Sequence, residues 1–350
     1  MNANGGQLRI GFIGVGSIAK FHAEALEALG HVVNVGSGTS VDSPRWHEFK
    51  SVASQARFEL DGRSVLLDSD VDAVVACLPW NLNEFWLPEL LSTAKPVLLE
   101  KPIALSSQAI TGAMEQSGTN LDNKSVGLNR RFYRTVLELK KRVVQGGVKS
   151  VEITISETVG GLTKTYGDEI IDHILAYSSC HILDTACHVL GRLTPIKVYG
   201  FEEASYAKAF RSFAGLLETS DGAPVFLNVL ADNPVPVGLS IFFDDRTTWR
   251  LSPLERLVAY RGYEVTEPSE KMKIRRYVAK PFLEIDEDPT FKPGFLAQME
   301  AFTSGQNRHI SATVEESLEL LRLTEELSRL AGANVVPTGG AATSPTFRSF

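Results

Sequence analysis

One feature near the N-terminus constrains the fold more than any other: an apolar run, a glycine-rich turn and an amphipathic stretch follow one another without a gap. Residues 8–13 predict a strand that is buried on both faces. Residues 17–29 place their apolar side chains on one helical stripe. Between them stands the run Gly14-Val15-Gly16-Ser17-Ile18-Ala19. A strand that enters a helix through such a turn predicts the first unit of a doubly wound parallel sheet.

The same turn predicts a dinucleotide-binding site. Gly14 permits the tight turn, and Gly16 leaves room for a pyrophosphate against the backbone. Ala19, in place of a third glycine, still lets the helix lie close to the sheet. The free N–H groups of the helix start, near Ser17 and Ile18, would then face the phosphates.

The end of the second predicted strand bears on which dinucleotide is bound. An acidic residue there would hold the adenosine ribose of NAD, but the chain continues through Ser37, Gly38 and Thr39. This uncharged end, with Arg45 nearby, favours the 2′-phosphate of NADP. The alternative is that Asp42 reaches the ribose and that the cofactor is NAD.

The pattern of the remaining chain predicts two domains and a tail. Strand-like and helix-like stretches alternate up to residue 130, which indicates an α/β domain with a doubly wound parallel sheet at 1–130. Beyond it, few helices separate the strand-like stretches, so 131–331 is predicted as an α+β domain with a mostly antiparallel sheet. Residues 332–350, rich in Gly, Pro, Thr and Ser, are predicted as a flexible tail.

Composition narrows the functional classes. The 350 residues are 43% hydrophobic and 22% charged, as in soluble globular proteins. A formal net charge of -7 gives no general support for a nucleic-acid or anionic-membrane partner. The basic residues of 271–280 alternate with apolar ones, which predicts a strand with one solvated face. Three cysteines without a disulfide pattern and a short polar N-terminus lead us to expect a reducing, cytoplasmic location without a signal peptide.

Several short motifs appear in a recognisable order. They are the turn at 14–19, Pro79 after the strand at 72–78, Glu100-Lys101-Pro102, Gly127-Leu128-Asn129-Arg130-Arg131-Phe132 and Asp184-Thr185-Ala186-Cys187-His188. Over at least residues 8–190 the chain resembles the family of glucose–fructose oxidoreductase, inositol dehydrogenase and MocA-like proteins. The resemblance implies a Rossmann domain followed by a large, open antiparallel sheet. It also implies hydride transfer between NAD(P) and a carbinol or carbonyl carbon of a sugar-like substrate, in a homodimer or homotetramer that forms through the open sheet.

The resemblance implies three catalytic residues. Lys101 would lie between nicotinamide and substrate, where its ammonium can stabilise a developing alkoxide. Asp184 and His188 are four residues apart and share one helical face. His188 would exchange the hydroxyl proton as a general acid/base of raised pKa, and Asp184 would orient it. A solvated lysine in a turn and a buried structural pair are the alternatives.

Further candidates surround these three. On the cofactor side they are Leu78, Pro79, Trp80, Asn83, Glu100 and Asn129. On the substrate side they are Arg131, Tyr166, His173 and His181. Arg130, Arg131 and Arg134 are candidates for recognising a phosphate or carboxylate. His181 stands where the family often has glycines, and Asn83 replaces a histidine that is frequent in the family.

Three other functions are alternatives to this oxidoreductase. Cys180, His181, Asp184, Cys187 and His188 include metal-ligand types, but ligands spread along one helix rarely close a tetrahedron, so no metal site is predicted. A glycoside hydrolase or isomerase that uses NAD only transiently would show no net change in nicotinamide absorbance. A nicotinamide-responsive regulator without turnover would have no need of Lys101, Asp184 and His188.

Overall fold

A parallel sheet organises the N-terminal part of the computed structural model, which describes residues 6–118, 121–201 and 212–336. Within these ranges its strands are β1 (Arg9–Ile13), β2 (Val32–Ser37), β3 (Arg57–Glu59), β4 (Ala73–Ala76), β5 (Val97–Leu99) and β6 (Lys124–Val126). They are ordered β3-β2-β1-β4-β5-β6, and every neighbouring pair is parallel. This is the predicted doubly wound sheet. Its strand order reverses between β1 and β4, and ligands bind outside the carboxyl ends of the strands at such a point.

Helices cover both faces of this sheet. They are α1 (Ser17–Ala28), α2 (Pro44–Lys50), α3 (Gly62–Leu67), α4 (Asn83–Ser92) and α5 (Ser107–Ser117). Ser43 and Ser106 cap α2 and α5 by accepting hydrogen bonds from backbone N–H groups of the first turn. The sequence pattern missed β3 and α3, because a three-residue strand and a six-residue helix are too short to show a periodicity.

The second domain is built on a larger sheet. In the described residues its strands are β7 (Val148–Glu157), β8 (Leu193–Phe201), β9 (Phe213–Thr219), β10 (Pro224–Ala231), β11 (Gly238–Phe243), β12 (Thr247–Leu251), β13 (Arg256–Thr266), β14 (Arg276–Asp286) and β15 (Val335–Val336). Their order is β14-β13-β12-β11-β7-β10-β9-β8-β15. Only the β7–β10 and β8–β15 pairs among them are parallel. The prediction of a mostly antiparallel sheet is therefore confirmed.

One face of this sheet is buried and the other is open. Val225, Leu227 and Val229 of β10 alternate inward, whereas Phe226 on the opposite face is 49% exposed. The helices of this domain are α6 (Arg134–Val144), α7 (Val159–Tyr166), α8 (Cys180–Leu190) and α10 (Val314–Ala333). Apolar residues of α6, α8 and α10 share one core cluster with the buried face. The basic run predicted as a strand joins the sheet only from Arg276 onward.

Two predicted boundaries need correction. Helix α9 (Phe295–Ser304) packs on α1 of the N-terminal domain, with the rings of Phe21 and Phe295 6.0 Å apart, although it falls inside 131–331. The predicted tail begins later than residue 332, because α10 continues to Ala333 and β15 pairs with β8. The rest of the predicted tail, 337–350, lies outside the described residues. Among those that are described, no helix has the length and apolarity that a membrane span requires.

Candidate functional site

The glycine-rich turn has the geometry that the sequence predicted. Gly14 follows β1 with a φ of 87°, in the left-handed region. A Cβ atom there would overlap the carbonyl oxygen of Cys77 at the end of β4. The Gly14 N–H donates to the carbonyl oxygen of Ser37 at 3.1 Å. Because both the conformation and the space admit only glycine, the turn closes tightly over the strand ends.

Gly16 leaves an open cradle at the start of α1. Its φ of −68° suits any residue, and a Cβ atom there would meet no protein atom within 4 Å. No side chain caps α1, and its first turn contains no acidic residue. The free N–H groups of such a helix start attract an anion. The residues present therefore fit the pyrophosphate of a dinucleotide.

The variant Gly16→Ala tests phosphate binding at the start of α1 without disturbing the fold. We expect the variant to fold normally, because the added methyl meets only open space, and to bind NADPH at least about tenfold more weakly, because that space is where a phosphate would lie. Fluorescence titration with NADPH measures the change. Gly112→Ala is the matched control, since a Cβ atom at Gly112 also meets nothing within 4 Å but lies on α5. An unchanged Kd in Gly16→Ala would contradict a phosphate cradle.

The end of β2 bears on the choice between NAD and NADP. Ser37 is buried, and its hydroxyl oxygen lies 3.4 Å from the Gly14 nitrogen, so this side chain supports the turn. Gly38 donates its N–H to the carbonyl oxygen of Glu59 on β3. Thr39 is exposed, and Arg45 forms an exposed ion pair with Glu48 at 3.1 Å. Thr39 and Arg45 therefore reach solvent, whereas Ser37 faces inward.

The segment after β5 is fixed from two sides. Glu100 is buried, lies 2.7 Å from the His22 ring of α1, and accepts the Lys101 N–H at 3.1 Å. Asn83, also buried, donates its side-chain amide to the Pro102 carbonyl oxygen at 2.6 Å. Glu100 and Asn83, both predicted to contact the cofactor, hold the turn that carries Lys101.

Lys101 reaches across to the second domain. Its Nζ donates to the carbonyl oxygen of Tyr177 at 2.9 Å and lies 4.6 Å from the centre of the Tyr177 ring. Tyr177 belongs to a π-helical turn, Leu175–Ser179, which leads directly into α8. Such wide turns occur mostly as short interruptions of helices, often at functional sites. Glu157, at the end of β7, accepts the Ser179 hydroxyl at 2.6 Å and anchors this turn to the sheet.

Aromatic side chains form a wall beside Lys101. The ring of Trp80, from the loop after β4, lies 5.7 Å from that of His173 and 6.4 Å from that of Tyr177. The Tyr177 hydroxyl donates to the Tyr166 hydroxyl at 2.8 Å. Burial, followed by this hydrogen bond, raises the pKa of Tyr177, so its phenol stays protonated at neutral pH. Trp80 and Tyr166 thus pack against the Tyr177 ring, and His173 packs against Trp80.

His181 lies one helical turn after Tyr177 in the chain. Its Nδ1 is buried and has no hydrogen-bond partner among the residues that the structure describes. Burial, and then the positive charges of Lys101, Arg130 and Lys292, lower the pKa of His181 well below its ordinary value. The ring is therefore neutral at neutral pH. Lys101, the aromatic wall and His181 together form the candidate site.

Comparison with known proteins agrees with this geometry in the N-terminal domain. Residues 8–117 match the model of the Gfo/Idh/MocA group, described as an oxidoreductase family with an NAD-binding Rossmann fold. The N-terminal domain is therefore similar to the NAD-binding Rossmann domain of that family. An inositol 2-dehydrogenase of Acidothermus cellulolyticus is 31% identical over 142 residues, which are 40% of this chain and 42% of that protein. The chain thus aligns with about two fifths of the length of this curated relative.

Solved structures extend the likeness to both domains. A myo-inositol dehydrogenase of Corynebacterium glutamicum superposes with a TM-score of 0.71 and 17% identity, over 93% of this chain and 97% of that one. A levoglucosan dehydrogenase in complex with NADH superposes with a TM-score of 0.71 and 14% identity, over 94% of this chain and 98% of that one. At such identities the likeness shows the fold alone, a Rossmann domain followed by a large, mostly antiparallel sheet.

Asp184 does not orient His188 as the resemblance implied. Its carboxylate accepts hydrogen bonds from Nε and Nη2 of Arg131, the shortest at 2.6 Å, and both side chains are almost fully buried. Arg131 also donates to Glu316 of α10 at 2.8 Å. These contacts tie α8 and α10 to the segment before α6. Arg131 is therefore engaged in a structural network and is not free to bind substrate.

His188 lies one helical turn beyond Asp184 on α8. Its Nε2 is 3.1 Å from Nζ of Lys140, and both residues are partly buried. Burial, followed by the charges of Arg131 and Lys140, lowers the pKa of His188 to about 3, in contrast to the predicted rise. With Asp184 and Arg131 it lines a cleft of about 560 Å³ that extends to α10 and β8. His188 is seven residues past His181, about 10 Å further along the helix axis.

Other predicted residues have structural contacts. Asn129 is buried and donates to the Pro293 carbonyl oxygen at 2.9 Å, which joins the segment before α6 to that before α9. Leu78 and Pro79 follow β4 beside the glycine turn. Tyr177 and Lys292 were not predicted for the site. His181 could have indicated Tyr177, which lies four residues before it, but Lys292 left no sequence signal because it is 191 positions away from Lys101.

Proposed function

We propose that the protein is an NAD(P)-dependent oxidoreductase that transfers a hydride between nicotinamide and a carbinol or carbonyl carbon of a sugar-like substrate. The observation that carries this is the position of Lys101. It follows β5 at the carboxyl edge of the Rossmann sheet and contacts Tyr177 of the second domain. Ligands of such sheets bind at this edge. When bound, the nicotinamide supplies or accepts the hydride.

Two residues of this chain perform the remaining chemistry. One Lys101 N–H is held by the Tyr177 carbonyl oxygen, which leaves two donors for the substrate oxygen. A fixed ammonium there stabilises the alkoxide that develops during hydride transfer. His181, neutral and unpartnered at Nδ1, takes the hydroxyl proton in oxidation and returns it in reduction. We assign this role to His181 in place of His188, because His181 lies one helical turn after Tyr177, which Lys101 contacts, whereas His188 lies beside Lys140.

We further propose NADP as the cofactor and assembly through the open sheet face. The support for NADP is the uncharged end of β2, where Thr39 and Arg45 reach solvent without an acid at the strand end. Homodimers or homotetramers are supported by the exposed aromatic side chains on that face, such as Tyr199 and Phe226, which are 45% and 49% exposed.

Two steps in one cuvette test the proposed function. The purified protein is titrated with NADH and NADPH by fluorescence. Absorbance at the reduced-nicotinamide band is then followed with inositols, aldoses, sugar acids, sugar phosphates and nucleotide sugars. We expect binding and a substrate-dependent absorbance change. Binding without any change across the panel would favour the hydrolase, isomerase or regulator, and no binding would remove the basis of the proposal.

A matched pair of variants identifies the acid/base. His181→Gln is expected to lower kcat by about 100-fold, because the proton acceptor is lost. His188→Gln is expected to change kcat by less than about threefold, because His188 contacts Lys140 in a separate cleft. The reverse order of effects would reinstate His188 as the acid/base. Steady-state kinetics with the substrate found in the panel measure both.

A further inference from the structure

The candidate site contains three cations without an acidic partner. Among the described residues, no carboxylate lies within 4.0 Å of the charged nitrogens of Lys101, Arg130 or Lys292, whereas the neighbouring Arg131 pairs with Asp184 and Glu316. Lys101 donates to a backbone carbonyl group. Lys292 lies 4.5 Å from the ring centre of Phe21 and 5.4 Å from that of Phe295. These contacts hold the positive charges in place but do not neutralise them.

The fold brings the three cations to one place. The hydrogen bond from Asn129 to Pro293 puts the chain segments of Arg130 and Lys292 side by side. The 3-10 turn Asn129–Phe132 packs against both α8 and α9. Lys101 reaches the same region through Tyr177. After burial, the three charges all lower the pKa of the His181 ring. Burial lowers the pKa of Lys292, Glu100 raises it, and Lys101 and Arg130 lower it further.

The nearby carboxylates are committed elsewhere. The Glu100 carboxylate accepts a hydrogen bond from the backbone N–H of Lys101, not from its ammonium, and lies 2.7 Å from the His22 ring. Glu157 accepts the Ser179 hydroxyl, and burial raises its pKa, which favours the uncharged acid. Arg131 is excluded from the cluster because Asp184 and Glu316 engage it. The surroundings of His181 therefore have an excess of positive charge.

We propose that the substrate is an anion, with a carboxylate or phosphate group that Arg130 and Lys292 bind while Lys101 contacts the reacting oxygen. This rests on the proposed function and narrows its substrate class to sugar acids and sugar phosphates. The planar fork of Arg130 can bind two oxygens of either group, and Lys292 adds a point charge. A neutral sugar would leave both cations desolvated and unpaired, which is unfavourable.

The test is a binding comparison on the full-length protein saturated with NADP. Quenching of tryptophan fluorescence, to which Trp80 beside Tyr177 contributes, gives the Kd of D-glucuronate, D-glucose 6-phosphate and D-glucose. We expect at least one anion to bind at least about tenfold more tightly than glucose, and the difference to shrink with added salt. Which anion binds more tightly distinguishes a carboxylate from a phosphate substrate. Equal binding of glucose, or no detectable binding of either anion, overturns the proposal.

Variants locate the effect and separate two possible sources of negative charge. Arg130→Gln and Lys292→Gln are each expected to weaken binding of the anion about tenfold and to leave the Kd of NADPH unchanged. Arg134→Gln is the control, because Arg134 is exposed on α6 and its charge acts on Asp288. If Arg130→Gln and Lys292→Gln instead weaken binding of NADPH and leave binding of the anion unchanged, the three cations bind cofactor phosphates and the proposal is wrong.

The proposed function and the anionic substrate fail in different ways. Turnover of a neutral sugar that is independent of Arg130 would overturn the anionic substrate and leave the oxidoreductase intact. Binding of an anion that depends on Arg130, with no hydride transfer to or from any compound of the panel, would do the opposite.

Discussion

Lys101→Met is expected to lower kcat by about 100- to 1,000-fold while the Kd of NADPH changes by less than about threefold. The methionine keeps most of the side-chain volume beside the Tyr177 ring but removes the ammonium that faces the substrate oxygen. Loss of a donor that acts mainly in the transition state lowers kcat more than it raises KM. Single-turnover and steady-state kinetics with the substrate from the panel measure the effect.

Lys140→Met is the matched control for this experiment. Lys140 is also a half-buried lysine, but it contacts His188 in the cleft beside α10. We expect its removal to change kcat by less than about threefold. Equal losses in the two lysine variants would mean that Lys101 has no special place at the reacting atoms. A large loss in Lys140→Met alone would place the chemistry in the cleft with His188.

Asp184→Ala is expected to lower the free energy of unfolding by about 3–5 kcal/mol, because it leaves the guanidinium of Arg131 buried without its main partner. Asp184 is 1% exposed and Arg131 is 3% exposed, so water cannot replace the lost carboxylate. Denaturant unfolding followed by circular dichroism measures the change. The Kd of NADPH is expected to stay within about threefold, since the pair lies far from the glycine turn.

Glu316→Gln provides the comparison for that loss. Glu316 contacts the same guanidinium, but its side chain is 47% exposed, and a glutamine keeps the capping interaction with Thr313 at the start of α10. We expect a cost below about 1 kcal/mol. If Asp184→Ala unfolds at the wild-type denaturant concentration but loses all activity, Asp184 is catalytic as the resemblance implied, and the structural role is wrong.

These experiments separate residues that stabilise the fold from residues that act on the substrate. In Asp184-Thr185-Ala186-Cys187-His188 the structure places a buried ion pair and a histidine beside a lysine, and neither faces Lys101. Lys101 instead contacts Tyr177, two turns before Asp184, and its charge lowers the pKa of His181, one turn before Asp184. Stability measurements should therefore respond to Asp184, and kinetics should respond to Lys101 and His181.

Local sequence determined the parts of this protein that depend on near neighbours. The turn at Gly14 and Gly16 was predictable because a single βα connection contains the strand, the tight turn and the helix start. The start of α10 was equally local, since Thr313 and Glu316 form a capping box within four residues. The doubly wound order and the mostly antiparallel second sheet followed from the spacing of strand-like and helix-like stretches.

Only the tertiary structure decided where Lys101 lies relative to the two histidines of α8 and which cations lack an acidic partner. His181 and His188 are seven residues apart, so they differ by only about 20° around a helix, and periodicity cannot choose between the two turns. The distance of each histidine from Lys101 depends on where the Rossmann sheet places Lys101 along α8 and the turn before it. The gathering of Lys101, Arg130 and Lys292 likewise joins distant segments, and Arg131 is withdrawn from it by its contact with Asp184, 53 positions further along the chain. Contacts at such separations are set by the packing of whole domains, because no local pattern in the chain encodes them.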